Sequence, residues 1–176
     1  MLLILVGESG VGKSTFANAI DCPENLYLSS GPIIEMLKER GAEITHDSIH
    51  ALAKEMYKEN PYWQIPDILA KLERKGFLIL DGPRQILEVR RLIKLYPDTL
   101  VIRIAADSVV RYNRLKGRDQ ISLKDFQRIQ EDETKETALK EVFEEMVDIT
   151  IENNSSFDKL QEIARKFNLL FKGGQK

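Results

Sequence analysis

The chain has 176 residues, of which 43% are hydrophobic and 31% are charged, a balance that fits one globular domain with a packed core. Lysine and arginine total 26 against 28 aspartates and glutamates, so the net charge of −2 argues against a role dominated by nucleic-acid binding. The one cysteine, Cys22, excludes an intrachain disulfide, and no apolar run approaches the ~20 residues of a membrane span. We therefore expect a cytoplasmic protein without a nucleic-acid or membrane partner, either a monomer or a weak homo-oligomer.

The sequence predicts five strands, and several of them are short continuous apolar runs, which are typical of strands buried on both faces. The predicted strands are residues 2–6, 26–28, 77–80, 99–104 and 148–151. Helical patterns lie between and after them, at residues 14–20, 33–37, 49–60, 68–76, 83–93, 108–116 with Asp107 as N-cap, from Ser122 onward, and 157–167. Strands that alternate with helices predict a parallel sheet with helices on both faces, where ligands bind at the carboxyl ends of the strands.

Residues 7–14 read G-E-S-G-V-G-K-S and match every fixed position of the phosphate-loop pattern G-x-x-x-x-G-K-[S/T]. The segment follows a predicted strand and precedes a predicted helix, which is the context that this motif requires. Its glycines let successive N–H groups point at an anion, while Lys13 reaches the β- and γ-phosphates and Ser14 ligates Mg²⁺. A nucleoside triphosphate is thus expected to bind through Gly7, Glu8, Ser9, Gly10, Val11, Gly12, Lys13, Ser14 and Thr15.

An acidic residue, Asp81, follows the third predicted strand and begins the run Asp-Gly-Pro-Arg. A carboxylate in this position holds Mg²⁺ in phosphate-loop enzymes, directly or through water, although Asp-Gly-Pro is also a common turn sequence. Arg84, three residues further on, is a candidate clamp for a second phosphate because a guanidinium binds phosphate in a bidentate manner.

Arginines follow the fourth predicted strand at a helical spacing. Arg111, Arg114 and Arg118 share one helix face, and together they could stabilise the charge of a transferring phosphoryl group. The alternative is a basic solvent-exposed face that is balanced by the acidic run at residues 131–136, itself interpreted as a solvated helix face. Arg128 is a weaker member of the same set.

These motifs resemble those of the nucleoside-monophosphate-kinase-like branch of phosphate-loop proteins. The stretch 76–84 resembles the adenylate-kinase element D-G-x-P-R with one residue missing. Residues 28–31 resemble the start of the acceptor-binding segment of that family, and Arg111, Arg114 and Arg118 resemble its lid arginines. The resemblance implies a three-layer α/β phosphate-loop NTPase fold with a five-stranded parallel sheet, an acceptor-binding insertion near residues 30–75 and a lid near 115–135. It further implies transfer from ATP, with Mg²⁺ on Ser14 and Asp81, to a small phosphorylated acceptor. Lys13, Arg84, Arg114 and Arg118 are the catalytic residues it implies.

The last third of the chain is also similar to dephospho-coenzyme-A kinases, at residues 114–122 and 148–160. Two departures count against that activity: Ser29-Ser30 replaces the Asp-x-Asp element of that family, and the spacing of its Arg-Ile-x-x-Gln element is broken after Arg128. We therefore expect a nucleoside monophosphate as the acceptor, with dephospho-coenzyme A as the alternative.

Two further classes of protein remain as alternatives. A regulatory GTPase needs a guanine-reading N-K-x-D stretch, which the sequence lacks, and a nucleotide-dependent interaction or repair ATPase is usually longer. His46 and His50 lie four residues apart, as a metal chelate would, but no third ligand is evident and a polar helix face is favoured. Tyr62 and Trp63 could stack on an acceptor base or pack in a core or hinge.

Overall fold

The computed structural model describes residues 1–20, 23–83, 85–136 and 145–173. Within these residues five strands form one sheet in the order β2-β3-β1-β4-β5, and every neighbouring pair is parallel. The strands are β1 (Leu2–Val6), β2 (Leu26–Leu28), β3 (Leu78–Asp81), β4 (Thr99–Ala105) and β5 (Ile149–Glu152). The predicted sheet is confirmed, and three strands differ by one residue at one or both ends.

Helices connect the strands and cover both faces of the sheet. They are α1 (Lys13–Ala19), a short 3₁₀ helix (Pro23–Asn25), α2 (Gly31–Glu39), α3 (His46–Glu59), α4 (Ile65–Lys75), α5 (Ile86–Leu95), α6 (Ser108–Asp119), α7 (Leu123–Glu136) and α8 (Phe157–Gly173). None of the helices in the described ranges has the length and apolar character needed to cross a membrane.

Alternation along β1 divides its side chains between the two faces of the sheet. Leu2 and Ile4 lie in a buried cluster with side chains of α4 and α5, whereas Leu3 and Leu5 lie in a cluster with side chains of α1 and α8. Because β1 is the central strand and is buried along its whole length, its sequence is a continuous apolar run. The result is the three-layer arrangement that the sequence predicted.

A smaller buried cluster joins α2 and α3 away from the sheet. Ile33, Leu37 and Leu52 are its buried members, and Trp63 packs against it. The α2–α3 pair therefore has an apolar contact surface of its own, next to the carboxyl end of β2.

Local sequence explains where several helices begin. Thr45 and Ser48 form a reciprocal capping box at the start of α3, and Ser122 and Asp125 form the predicted one at the start of α7. Asp107 lies at the N-cap of α6 as predicted, but in the described chain its side chain makes no capping hydrogen bond.

Truncation of the central strand should show how strongly the sheet depends on it. We expect Ile4→Ala to lower the free energy of unfolding by about 2–5 kcal/mol, because Ile4 is fully buried and the truncation leaves a cavity. Val109→Ala on α6 removes an exposed side chain and should change it by less than about 0.5 kcal/mol. Urea denaturation measures both, and a small loss for Ile4→Ala would contradict the packing described for β1.

Candidate active site

The β1–α1 loop, residues 7–12, packs tightly against the strands and loops beside it. Gly7, Gly10 and Gly12 have φ angles of 142°, 84° and 106°, which other residues rarely adopt. A Cβ at Gly7 would lie 2.3 Å from the Ile104 carbonyl oxygen, and one at Gly12 would lie 2.8 Å from Asn153 Nδ2. The three glycines of the motif are therefore required by backbone geometry and, at two positions, by close packing.

The carbonyl oxygens of this loop accept hydrogen bonds from side chains around it. Lys13 Nζ donates to Gly7 at 2.7 Å and to Glu8 at 3.1 Å, and Arg111 Nε donates to Ser9 at 2.8 Å. The carbonyl of Val11 accepts from the buried amide of Asn153 at 2.7 Å. Because these donors hold the carbonyls, the peptide units are fixed in orientation, as an anion-binding loop requires.

Ser14 and Asp81 meet although they are 67 residues apart in the sequence. β3 lies next to β1, so Asp81 stands beside Leu5 at the carboxyl end of the sheet, and its Oδ2 accepts a hydrogen bond from Ser14 Oγ at 2.9 Å. Burial raises the pKa of Asp81, while the charge of Lys13 and the hydrogen bond from Ser14 act in the opposite direction. The donor set is a hydroxyl and a carboxylate oxygen, which are the ligands that Mg²⁺ prefers.

A cavity of about 790 Å³ opens above the loop, within the size range of small-molecule sites. Its lining includes Lys13, Ser14 and Asp81 of the phosphate-loop region. It also includes residues of β2, α2 and α3 and of the turns that follow β2 and β3: Leu28, Ser29, Ser30, Ile33, His46, Ile49, His50, Ala53, Tyr57, Gly82 and Pro83. The cavity therefore joins the phosphate-loop region to the segment predicted to bind the acceptor.

The structure separates the roles of the predicted arginines of α6. Arg114 lines the cavity, but its guanidinium donates to the carbonyls of Asn153 and Ser155 at 2.9 and 3.0 Å and lies 4.7 Å from the Phe157 ring centre. Arg118 also lines the cavity, is exposed, and makes two hydrogen bonds with Asp119. Arg84 lies outside the described residues.

Arg111 and Glu133 form a buried ion pair beside the loop, which was not predicted from the sequence. Arg111 Nη2 contacts Glu133 Oε2 at 2.7 Å, and Glu133 Oε1 accepts a hydrogen bond from the Ser9 N–H at 2.6 Å. Both side chains are more than nine-tenths buried. The interpretation of residues 131–136 as a solvated face was therefore wrong for Glu133, and Arg111 supports the loop backbone from outside the cavity lining.

Histidine and aromatic side chains of α3 contribute to the cavity wall. The rings of His46 and His50 are stacked with centroids 6.1 Å apart, and both side chains line the cavity. In the described parts of the chain, no group of three or more His, Cys, Asp or Glu side chains is placed to hold a metal ion. Trp63 packs edge-on against Tyr57 at 6.0 Å, which agrees with the core interpretation, and Tyr62 is exposed.

Tyr57 connects the cavity wall to a buried carboxyl group. Its hydroxyl donates to Glu88 Oε2 at 3.1 Å, and Glu88 is fully buried in the first turn of α5. Burial raises the pKa of Glu88 to about 7, against the lowering effect of the Tyr57 hydrogen bond. This carboxyl group lies behind the cavity wall and was not singled out by the sequence.

No protein-family model matches the chain. It is 29% identical over 180 aligned positions to a UPF0200/UPF0201 protein of Archaeoglobus fulgidus, covering 96% of this chain and 55% of that protein. It is 32% identical over 126 residues to a GTP:AMP phosphotransferase of Plasmodium falciparum, covering 67% of this chain and 54% of that protein. The chain thus spans about half the length of these two relatives.

Solved structures with a similar fold include small-molecule kinases. Shikimate kinase from Acinetobacter baumannii in complex with shikimate matches with a TM-score of 0.59 and 19% identity, covering 99% of this chain and 94% of that one. A gluconokinase from Sinorhizobium meliloti 1021 matches with a TM-score of 0.54 and 14% identity, covering 96% and 91%. This chain therefore shares the fold of these two kinases, and at these identities the likeness concerns the fold alone.

The buried carboxyl group of Glu88 predicts a pH-dependent stability. Its folded pKa of about 7 lies above the ordinary value of 4.5, so the folded state binds the proton more tightly. Stability should fall as pH rises from 4.5 through 7, by at most about 1.4 kcal/mol per pH unit. Glu88→Gln cannot ionise, so it should gain stability relative to the parent protein at pH 8 but not at pH 4.5.

Urea denaturation across this pH range measures the effect, with Glu73→Gln on the exposed face of α4 as the control. A difference between Glu88→Gln and the parent that stays constant with pH would contradict the ionisation of a buried Glu88.

Proposed function

We propose that the chain is an ATP-dependent phosphotransferase that moves the γ-phosphate to a small phosphorylated acceptor, with nucleoside monophosphates as the favoured class. The observation that carries the proposal is that one cavity is lined both by the phosphate loop with the Ser14–Asp81 pair and by residues of α2 and α3. Donor and acceptor can be aligned in one space, and alignment is the main requirement of phosphoryl transfer.

The donor end has the groups that a magnesium–triphosphate complex needs. Ser14 and Asp81 would hold Mg²⁺, and N–H groups of the glycine-rich loop would donate to phosphate oxygens. Lys13 would exchange the carbonyls of Gly7 and Glu8 for phosphate oxygens. Mg²⁺, when bound, supplies positive charge that neutralises the phosphoryl oxygens.

We expect a phosphate oxygen, and not a hydroxyl group, to be the nucleophile of the acceptor. A hydroxyl acceptor gains from a base that takes its proton, whereas a phosphate oxygen is already ionised. Both carboxylates of the described lining already have partners, Asp81 with Ser14 and Glu133 with Arg111, and the imidazoles of His46 and His50 are the other candidate bases. The end of β2 carries Ser29 and Ser30 at this point. The name of the Plasmodium relative, a GTP:AMP phosphotransferase, agrees with a nucleoside monophosphate acceptor.

The helices around the cavity mouth can exclude water, which prevents hydrolysis of ATP. Arg128 of α7 contacts Asp47 of α3 at 3.1 Å, so the proposed lid and the proposed acceptor segment are joined by an exposed ion pair. Because the last third of the chain resembles dephospho-coenzyme-A kinases, dephospho-coenzyme A is the alternative acceptor to be tested beside the nucleoside monophosphates.

Lys13→Ala should abolish transfer with every acceptor, because the cation that bridges the β- and γ-phosphates is lost. The fold should persist, since Lys13 bonds to loop carbonyls outside the apolar core. Coupled release of ADP or GDP measures transfer from ATP or GTP, with Mg²⁺, to each nucleoside monophosphate and to dephospho-coenzyme A. Lys38→Ala, which removes an exposed lysine of α2, is the matched control. Full activity in a folded Lys13→Ala protein would refute the proposed donor site.

Arg118→Ala should reduce kcat by on the order of 10³-fold if this cavity-lining arginine supplies charge to the transition state. The same assay with the best acceptor measures kcat and KM separately. Arg91→Ala, which removes an exposed arginine of α5, should leave both constants unchanged. A nearly normal kcat for Arg118→Ala would show that Arg118 has no role in transfer and only forms the surface ion pair with Asp119.

A further inference from the structure

Glu133 places a carboxylate on the phosphate loop itself. Its Oε1 accepts a hydrogen bond from the Ser9 N–H at 2.6 Å, its Oε2 contacts Arg111 Nη2 at 2.7 Å, and its side chain lines the same cavity as Lys13 and Ser14. The group is 7% exposed. It thus stands as an anion at a loop whose N–H groups are arranged for anions.

The contacts of Lys13 indicate which phosphate would meet this carboxylate. The lysine of a phosphate loop reaches the β- and γ-phosphates, and here Lys13 Nζ lies 2.7 and 3.1 Å from the carbonyls of Gly7 and Glu8, just before Ser9. The Ser9 N–H therefore belongs to the end of the loop that faces the terminal phosphate. The α- and β-phosphates face the other end, where α1 begins.

We propose that Glu133 is a specificity-determining residue that competes with the terminal phosphate of the nucleotide for the Ser9 N–H; the proposal rests on the donor site described under the proposed function. A triphosphate must displace this carboxylate from the Ser9 N–H, because two anions cannot share one donor without strong repulsion. A diphosphate, which stops short of this position, binds with Glu133 in place. The ratio of the affinity for a diphosphate to the affinity for a triphosphate is therefore higher than it would be for a phosphate loop without this carboxylate.

Arg111 makes the displacement a defined movement. Arg111 Nε donates a hydrogen bond to the Ser9 carbonyl at 2.8 Å, and Arg111 Nη2 donates to Glu133. The Ser9 carbonyl therefore stays in place when the Ser9 N–H exchanges Glu133 for a phosphate oxygen. The carboxylate leaves Ser9 while its charge stays beside the Arg111 guanidinium, which avoids the cost of leaving a buried charge unpaired. Glu133 belongs to α7, so the terminal phosphate acts directly on the proposed lid.

Two variants test the competition by different means. Glu133→Gln removes the negative charge at nearly constant shape, and Glu133→Asp keeps a partner for Arg111 but withdraws the carboxylate from Ser9. We expect each to raise the affinity for a non-hydrolysable ATP analogue relative to ADP by about tenfold, the size of a charged hydrogen bond to the loop. Glu131→Gln, an exposed carboxylate of the same helix, should leave the ratio unchanged.

Isothermal titration calorimetry with Mg²⁺ measures both affinities for each protein. An unchanged ratio in the folded Glu133 variants, or a ratio shifted toward ADP, would overturn the competition while leaving the donor site intact. Failure of the parent protein to bind either nucleotide would instead refute the proposed function. If neither variant folds, NMR of the ¹⁵N-labelled parent protein tests the proposal through the chemical shift of the Ser9 amide. The ATP analogue should change this chemical shift more than ADP does, and equal changes would overturn the proposal.

Discussion

The close contact of the β1–α1 loop with its neighbours is the constraint on which the site depends. A side chain at Gly7 would collide with the backbone of β4, and one at Gly12 would collide with Asn153 after β5. The loop is therefore a packed part of the structure, unlike a typical exposed connection. Because its carbonyls are held by Lys13, Arg111 and Asn153, the orientation of its N–H groups is set before any ligand arrives. Preorganisation of this kind lowers the cost of ordering an anion site on binding.

The strand order brings the rest of the candidate active site to this loop. β3 and β4 flank β1, so the turns that follow these three strands open at the same edge of the sheet. Asp81 reaches Ser14 for this reason, and α6 follows β4 closely enough for Arg111 and Arg114 to hold the loop and the turn after β5. The parallel topology thus assembles a magnesium-type oxygen pair and two supporting guanidinium groups from distant parts of the sequence.

The cavity lining combines two kinds of chemistry. Lys13, Asp81 and Glu133 carry charge beside the phosphate loop, whereas α3 contributes the stacked histidines and Tyr57, with the buried Glu88 behind it. Concentrated charge suits a polyphosphate, and a mixed aromatic and polar wall suits a flat organic group with hydrogen-bonding edges. α7 contacts both regions, through Glu133 at the loop and Arg128 at α3.

The sequence by itself determined the parallel sheet, the phosphate loop and the position of Asp81. Each of these is encoded locally: apolar runs of strand length, a motif with fixed spacing, and an acidic residue at the end of a strand. The strand boundaries followed to within one residue for the same reason, whereas several helix ends differ from the prediction by three residues or more. The resemblance to nucleoside-monophosphate kinases added the expected insertions and acceptor class, which local patterns do not contain.

The tertiary structure decided which charged side chains support the loop. Arg111, Arg114 and Arg118 have the same spacing signal, yet one is buried on the loop, one holds the turn after β5, and one is exposed beside Asp119. Glu133 and Glu88 were not indicated by the sequence, because a single acidic side chain in an ordinary helix has no periodicity to reveal its burial. Asn153 was indicated only by the similarity of residues 148–160 to dephospho-coenzyme-A kinases, which did not reveal its contact with the phosphate loop. The roles of these three residues arise from contacts with residues 22 to 142 positions away, and only the packing of the helices on the sheet brings those residues together.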